Sequence, residues 1–261
     1  MILITLLGAS FSMSLRRLLT FRVNLVFDVA MSAVWLAVTL ATVLVVYTAT
    51  DTLAGWALPE ALILIGTFQV LSGLKQTFLD PNLAWFPERG VRGGKLDILL
   101  LQPAPNLFLV SLSTCAPLAL IQSGLGLGVI VVGLTRLDQP PGPAAVLAWL
   151  VMIAVGTVIT WALGMILAVL AFWAPKLQLD VFYGSAWQLA RYPVDIYPGP
   201  LRAVLTYLFP MALIATAPTV VLVHGPDPYL LLGGVAGAAA GAGLATLCWR
   251  SGLRRYTGAT S

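Results

Sequence analysis

Five stretches of this 261-residue chain carry no charged side chain at all: 29–50, 98–135, 139–175, 203–226 and 228–249. Each is long enough to cross a hydrocarbon core of about 30 Å, which takes about 20 helical residues. Only 9% of the residues are charged and 59% are apolar, whereas a soluble domain carries about 25% charge. Fourteen basic and ten acidic side chains do not suffice to cover a water-soluble particle of this size. The apolar runs are continuous and do not alternate with period two, which excludes a transmembrane β-barrel. The chain reads as an all-α polytopic membrane protein. No polar window is long enough for a separate soluble domain.

Hydropathy places the first spans at about 23–49, 58–79, 107–134 and 145–173, and the last at about 229–249. Arg16, Arg17 and Arg22 follow the first apolar stretch, the reverse of a secretory signal, so 8–22 reads as an amphipathic interfacial helix. Two layouts fit the remainder. In one, 201–223 is the fifth span and 176–200 a connector. In the other, 177–192 is a short fifth span and 198–223 a re-entrant pair of helices broken at Pro210. Both give six crossings. The basic residues then place both termini and the 80–106 loop in the cytoplasm. Small residues at spacing four, Gly124 with Gly128 and Gly233 with Gly237 and Gly241, suggest close helix contacts.

Little in the chain suggests catalysis. His224 is the single histidine, and no aspartate pair or metalloprotease motif lies within a span. Gly90 to Lys95 does not form a phosphate-binding loop: Arg89 stands where the first glycine belongs and Leu96 where the hydroxyl belongs. Cys115 and Cys248 lie in apolar stretches with no metal-binding spacing, and no metal site is expected. Among charges near span ends, Asp28 and Asp180 are the candidates for a polar lining. The loop Pro87–Pro103 mixes both charge signs and then runs into leucines. From the residues alone it fits a solvated connector and a docking helix equally well.

Three pieces resemble the permease subunits of type-2 ABC exporters, in the branch that pairs two six-helix permeases with a separate ATPase. They are Val91-Arg-Gly-Gly-Lys-Leu-Asp97 with the following Leu99-Leu-Leu-Gln-Pro103; Arg191-Tyr-Pro-Val-Asp-Ile-Tyr-Pro198 with Pro200-Leu-Arg202; and Gly252-Leu-Arg-Arg-Tyr256. The resemblance implies six transmembrane helices with an N-terminal interfacial helix. It also implies a coupling helix at about 83–98 between spans two and three, and an outer re-entrant hairpin at 198–223 before span six. That favours the layout with 177–192 as span five.

It further implies that Glu88, Arg89, Arg92, Lys95 and Asp97 meet a cytosolic ABC ATPase dimer, which holds ATP and Mg. Asp28, Gln178, Asp180, Tyr183 and Gln188 would line a pathway, with Arg191, Tyr192, Tyr197 and Arg202 at its outer mouth. A second related permease is expected, a heterodimer in preference to a homodimer, in the lipid of a bacterial inner membrane. No cofactor in this chain and no nucleic-acid partner are expected. The expected activity is export of a hydrophobic or amphipathic compound, a multidrug type of efflux. The rival readings are an ion-coupled secondary carrier and a non-transporting scaffold subunit.

Overall fold

The structure is a computed structural model and describes residues 2–20, 22–83, 86–174 and 179–256. Gln178 lies outside the described residues, as does the side chain of Asp180. The chain opens with α1 (Ile2–Thr20) and α2 (Arg22–Ala49). α1 begins six residues before the expected interfacial helix. In α2, Leu36, Leu40, Val43 and Tyr47 form one stripe against Ala61, Leu62, Ile65 and Val129. Most of the other described side chains of α2 are exposed and apolar, including Val26, Phe27, Val34 and Val45, as expected of a helix facing lipid or another chain.

A small hairpin turns the chain back: β1 (Thr52–Leu53) pairs antiparallel with β2 (Trp56–Ala57). Its two turn residues, Ala54 and Gly55, have φ of 53° and 88°, the positive pair of a type I′ turn. The Tyr47 hydroxyl donates to the Trp56 carbonyl at 2.8 Å and ties α2 to the hairpin.

α3 (Leu58–Phe78) follows, started by Pro59 and by the Glu60 carboxylate, which accepts from the Ala57 N–H at 2.9 Å. It is the most buried of the long apolar helices. Beyond it lie α4 (Asp80–Leu83), a π-helical turn over Phe86–Arg92, α5 (Lys95–Leu100) and α6 (Asn106–Leu112). The single helix expected over 107–134 is in fact two. After α6 the chain is irregular until a 3₁₀ turn, Pro117–Ala119, leads into α7 (Leu120–Leu134). Pro117 supplies no N–H and pushes Ala116 out of the helical region, to φ −117° and ψ 78°.

Fully buried Asn82 holds the break together. Its Nδ2 donates to the Phe78 and Thr114 carbonyls, both at 2.8 Å. Its Oδ1 accepts from the Thr114 N–H at 2.9 Å and from the Ser113 hydroxyl at 3.3 Å. The Ala116 N–H reaches the Thr77 carbonyl at 2.9 Å. Polar backbone exposed by the break is thus satisfied inside the protein, the condition under which a helix can be interrupted at membrane depth.

α3 and α7 pack backbone to backbone. A Cβ on Gly126 would stand 2.6 Å from the Gly66 carbonyl oxygen and 2.9 Å from the Val70 nitrogen. Gly133 meets Pro59 and Ile63 in the same way, and Gly73 meets Ser123. The Ser123 hydroxyl donates across the contact to the Val70 carbonyl at 2.9 Å. The contact face therefore differs from the one that the spacing suggested: Gly124 and Gly128 have nothing within 4 Å.

α8 (Pro143–Val169) is next, then α9 (Leu179–Leu189). A 3₁₀ turn over Val194–Ile196 leads to α10 (Gly199–Ala203), which runs into a π-helical turn over Val204–Leu208. The chain breaks at Phe209-Pro210 and resumes as a 3₁₀ turn, Met211–Leu213, and α11 (Thr216–Val223). The last helix is α12 (Pro228–Arg255), whose N-cap Asp227 accepts from the Tyr229 N–H at 2.8 Å. α12 lies along α8 through Gly234, Ala238, Gly241, Ala245, Trp249 and Gly252. Of the three expected glycines, Gly241 lies in this stripe, Gly237 meets Leu213, and Gly233 faces open space.

Among the described residues, five helical segments are long and apolar enough to span a membrane: Val26–Ala49, Leu58–Phe78, Pro117–Leu134, Pro143–Phe172 and Pro228–Arg255. The protein is an all-α polytopic membrane protein. The crossing expected at 177–192 falls on α9, whose 11 residues rise only about 16 Å.

The two ends of the bundle are distinct. At the loop end, Phe86, Leu96 and Leu99 share a core with Met165, Val169, Ala245 and Trp249, so the 80–112 connection sits beside the C-terminal ends of α8 and α12. At the hairpin end, Trp56 joins a core with Val194, Leu205 and Val221.

Candidate functional site

Lys75 is near the loop end of α3 and only 11% exposed, so its charge needs a partner. Asp80 provides it, with both carboxylate oxygens accepting from the ammonium at 2.7 and 2.8 Å. The rings of Tyr183 and Trp187 flank the same ammonium at 5.2 and 5.3 Å, a cation–π cage on α9. The Tyr183 hydroxyl donates to the Thr160 carbonyl at 3.1 Å and the Trp187 indole to the Ser72 hydroxyl at 3.0 Å. α9 is thereby fastened to α3 and α8 at a fixed height.

Asp80 lines two cavities. The larger is an open groove of about 1090 Å³ between α2, α3, the start of α7 and α9. Its polar residues besides Asp80 are Asp28, Ser32, Thr39, Gln69, Gln76, Gln122, Gln188 and Arg191, with Trp35 on the α2 wall. Gln122 Nε2 donates to Gln69 Oε1 at 2.9 Å, and Arg191 Nη2 to Gln188 Oε1 at 2.5 Å. The smaller cavity, about 270 Å³, lies between Lys75, Asp80, Thr160, Tyr183 and Pro87. One carboxylate thus borders both the polar groove and the start of the loop-end connection.

That connection has two faces. Phe86, Gly90, Leu96 and Leu99 are buried, with the Phe86 ring 5.7 Å from Phe172 and 6.0 Å from Trp249. Glu88, Arg89, Arg92 and Lys95 are exposed and Asp97 is half-buried. Glu88 and Arg92 pair at 2.9 Å. Gly94, at φ 68°, takes the left-handed conformation that redirects the chain from the π-helical turn into α5. Beside the charges, Ile98 and Leu101 are also exposed.

At the hairpin end, Arg202 and Asp195 pair at 2.6 Å, and the Trp56 indole donates to the other oxygen of Asp195 at 3.4 Å. This joins the α2–α3 hairpin to the segment before α10. Tyr192 and Tyr197 line an apolar cavity of about 270 Å³ with Tyr47 and Val43. The Tyr197 hydroxyl donates to the Leu189 carbonyl at 2.8 Å. Burial, and secondarily Tyr192, pushes its phenol above the ordinary value, so it stays a donor.

The expected residues therefore sort differently in space than in sequence. Asp28 and Gln188 both line the groove, whereas Tyr183 is buried behind it, on the smaller cavity. Arg191 lies in the groove wall with its guanidinium 5.8 Å from the Phe68 ring, apart from the Arg202 cluster. Sequence reasoning missed Gln76, Gln122, Asp80 and Trp35. The signal for two of them was present: Gln69 and Gln76 are seven residues apart on one helix face, and Gln122 stands in an otherwise apolar run.

Residues 33–260 match the family model described as ABC-2 family transporter protein. The chain belongs to the ABC-2 transporter family. As an ABC-2 family protein built of apolar helices, it is a membrane permease component of an ABC transporter. No curated protein and no solved structure matches the chain.

Proposed function

We propose that this ABC-2 permease is the membrane subunit of an ATP-driven exporter of amphipathic or hydrophobic compounds, with the polar groove as its half of the pathway. The observation that carries this reading is the position of Asp80. Salt-bridged to Lys75, it stands between the groove and the cavity that Pro87 closes at the root of the loop-end connection. Movement of that connection acts on the Lys75–Asp80 pair, and through the Tyr183–Trp187 cage on α9, which carries Gln188 of the groove and leads directly into Arg191.

In this reading the loop end is cytoplasmic, and Glu88, Arg89, Arg92, Lys95 and Asp97 meet an ABC ATPase dimer that binds ATP and Mg and performs the hydrolysis. ATP-driven closure of the dimer favours one arrangement of the connection by differential contact. A second, related permease covers the groove from the side of α2, whose exposed apolar face suits a helical neighbour as well as lipid. The segment around Asp195 and Arg202 then borders the outer mouth of the pathway in a bacterial inner membrane.

The test is purification of the tagged full-length chain from native membranes in mild detergent, with mass spectrometry of its companions. A stoichiometric ATPase and a second small permease are expected. A folded chain that emerges alone or only with copies of itself contradicts the exporter assembly.

A further inference from the structure

Arg191 poses a problem that the groove itself answers. Its guanidinium lies over the Phe68 ring at 5.8 Å, and Phe68 is the middle residue of α3. It is therefore a cation level with the middle of a membrane-spanning helix, a depth at which a charge faces protein or a water-filled cavity. Among the described residues no carboxylate lies within ion-pair distance of it. Asp195, four residues on, is occupied by Arg202. Asp80 is neutralised by Lys75. Asp28 lines the same groove but at its other end. Counted from the hairpin, Asp28 stands level with Leu79, eleven residues from Phe68, or about 16 Å along the helix.

The hydrogen bonds around Arg191 use acceptors and leave donors. Gln188 Oε1 is taken by Arg191, and Gln69 Oε1 by Gln122. Those two bonds use one N–H of Arg191 and one of Gln122, so most of the N–H groups of Arg191, Gln188, Gln69 and Gln122 at this end of the groove have no described partner. Such a floor, rich in N–H donors and carrying an arginine with no described carboxylate in reach, complements an anion. The groove is open rather than enclosed and has Trp35, Met31 and Leu118 on its walls, which suit an apolar body.

We propose that the floor formed by Arg191, Gln188, Gln69 and Gln122 binds the anionic head group, a phosphate or carboxylate, of an amphipathic substrate. This rests on the groove being the pathway of an exporter. Gln188 aims the guanidinium, Phe68 supports its face, and the amides complete the oxyanion cradle.

The experiment uses the full-length chain in nanodiscs and four dodecyl amphiphiles: the phosphate, the phosphocholine, the trimethylammonium and the maltoside. Binding is read as quenching of Trp35, taken as the difference between the chain and its Trp35→Phe variant. Dodecyl phosphate is expected to bind about tenfold tighter than the ammonium or the maltoside, the scale of one charge-assisted contact. Arg191→Gln should erase that preference while maltoside binding, the check on folding, is unchanged. Arg191→Lys should keep part of it.

Equal binding of all four amphiphiles, or a preference that survives Arg191→Gln, overturns the proposal. Competition by inorganic phosphate as strong as by dodecyl phosphate would mark a free-anion site and overturn the amphiphile assignment. The measurement needs no ATPase. A lost head-group preference in a chain that still co-purifies with its ATPase fells this inference alone, and head-group binding by a chain with no ATPase partner fells the exporter reading alone.

Discussion

The Lys75 ammonium is held by both carboxylate oxygens of Asp80, at 2.7 and 2.8 Å, while the two residues differ in their access to solvent, 11% for Lys75 and 38% for Asp80. The pair is therefore asymmetric. Asp80→Asn leaves an ammonium enclosed by Tyr183 and Trp187 with no counter-charge. Lys75→Gln leaves a carboxylate that the groove can hydrate. Asp80→Asn is expected to cost about 2 kcal/mol, below the range for a fully buried pair because Asp80 is partly open, and Lys75→Gln clearly less. Thermal unfolding of the two variants in nanodiscs, with the double variant less destabilised than the sum of the singles, checks the order.

The α3–α7 contact gives a paired prediction. Gly126→Ala drives a methyl into the backbone of α3, with its Cβ 2.6 Å from the Gly66 carbonyl, and should cost about 2 kcal/mol as the helices separate. Gly128→Ala, two residues on and facing open space, should be neutral or slightly stabilising through helix propensity. Comparing the melting temperatures of the two variants decides whether the contact face is the one described.

Ala54 holds φ 53° at the tip of the hairpin, a conformation that costs an L-residue with a plain Cβ about 1 kcal/mol. Asn tolerates it, and Asn-Gly is the favoured type I′ pair. Ala54→Asn should therefore raise the melting temperature, and Ala54→Val should lower it.

Much of the architecture could be read from the chain, for identifiable reasons. Continuous uncharged runs have one solution in a bilayer, so the long helices α2, α3, α8 and α12 followed from hydropathy. Pro117 was equally visible, but its effect depended on Asn82, more than thirty residues away, paying for the exposed backbone at the break. The glycine contact of α7 was misplaced for a different reason. In a run where small residues occupy several faces, spacing four recurs on each, and only packing selects Gly126 and Gly133 over Gly124 and Gly128. The groove was half legible. Asp28 and Gln188 could be picked out as polar residues in apolar surroundings, but the depth of Arg191 is set by how α9 stacks on Phe68, which no local pattern encodes.

The exposed charges of the loop-end connection allow a functional variant that spares the fold. Arg92 and Glu88 are 47% and 68% exposed at the side chain, and such a pair contributes under about 1 kcal/mol. Arg92→Glu should leave the melting temperature within a degree or two but separate ATP hydrolysis from transport in the reconstituted complex, with hydrolysis no longer stimulated by substrate. Unchanged stimulation and unchanged transport would remove Arg92 from the docking surface.

Site-directed crosslinking tests the docking of an ATPase at the loop end most directly. Both native cysteines are sheltered, Cys115 buried and Cys248 half-buried, so a single exposed cysteine can be placed at either end of the bundle. Arg92→Cys lies among the exposed charges of the loop end, and Tyr229→Cys lies at the hairpin end, where Tyr229 is 87% exposed. With a short thiol-to-amine crosslinker applied to native membranes, Arg92→Cys should capture the ATPase and Tyr229→Cys should not. Capture from Tyr229→Cys, or from neither position in a membrane where the ATPase is present, would contradict it.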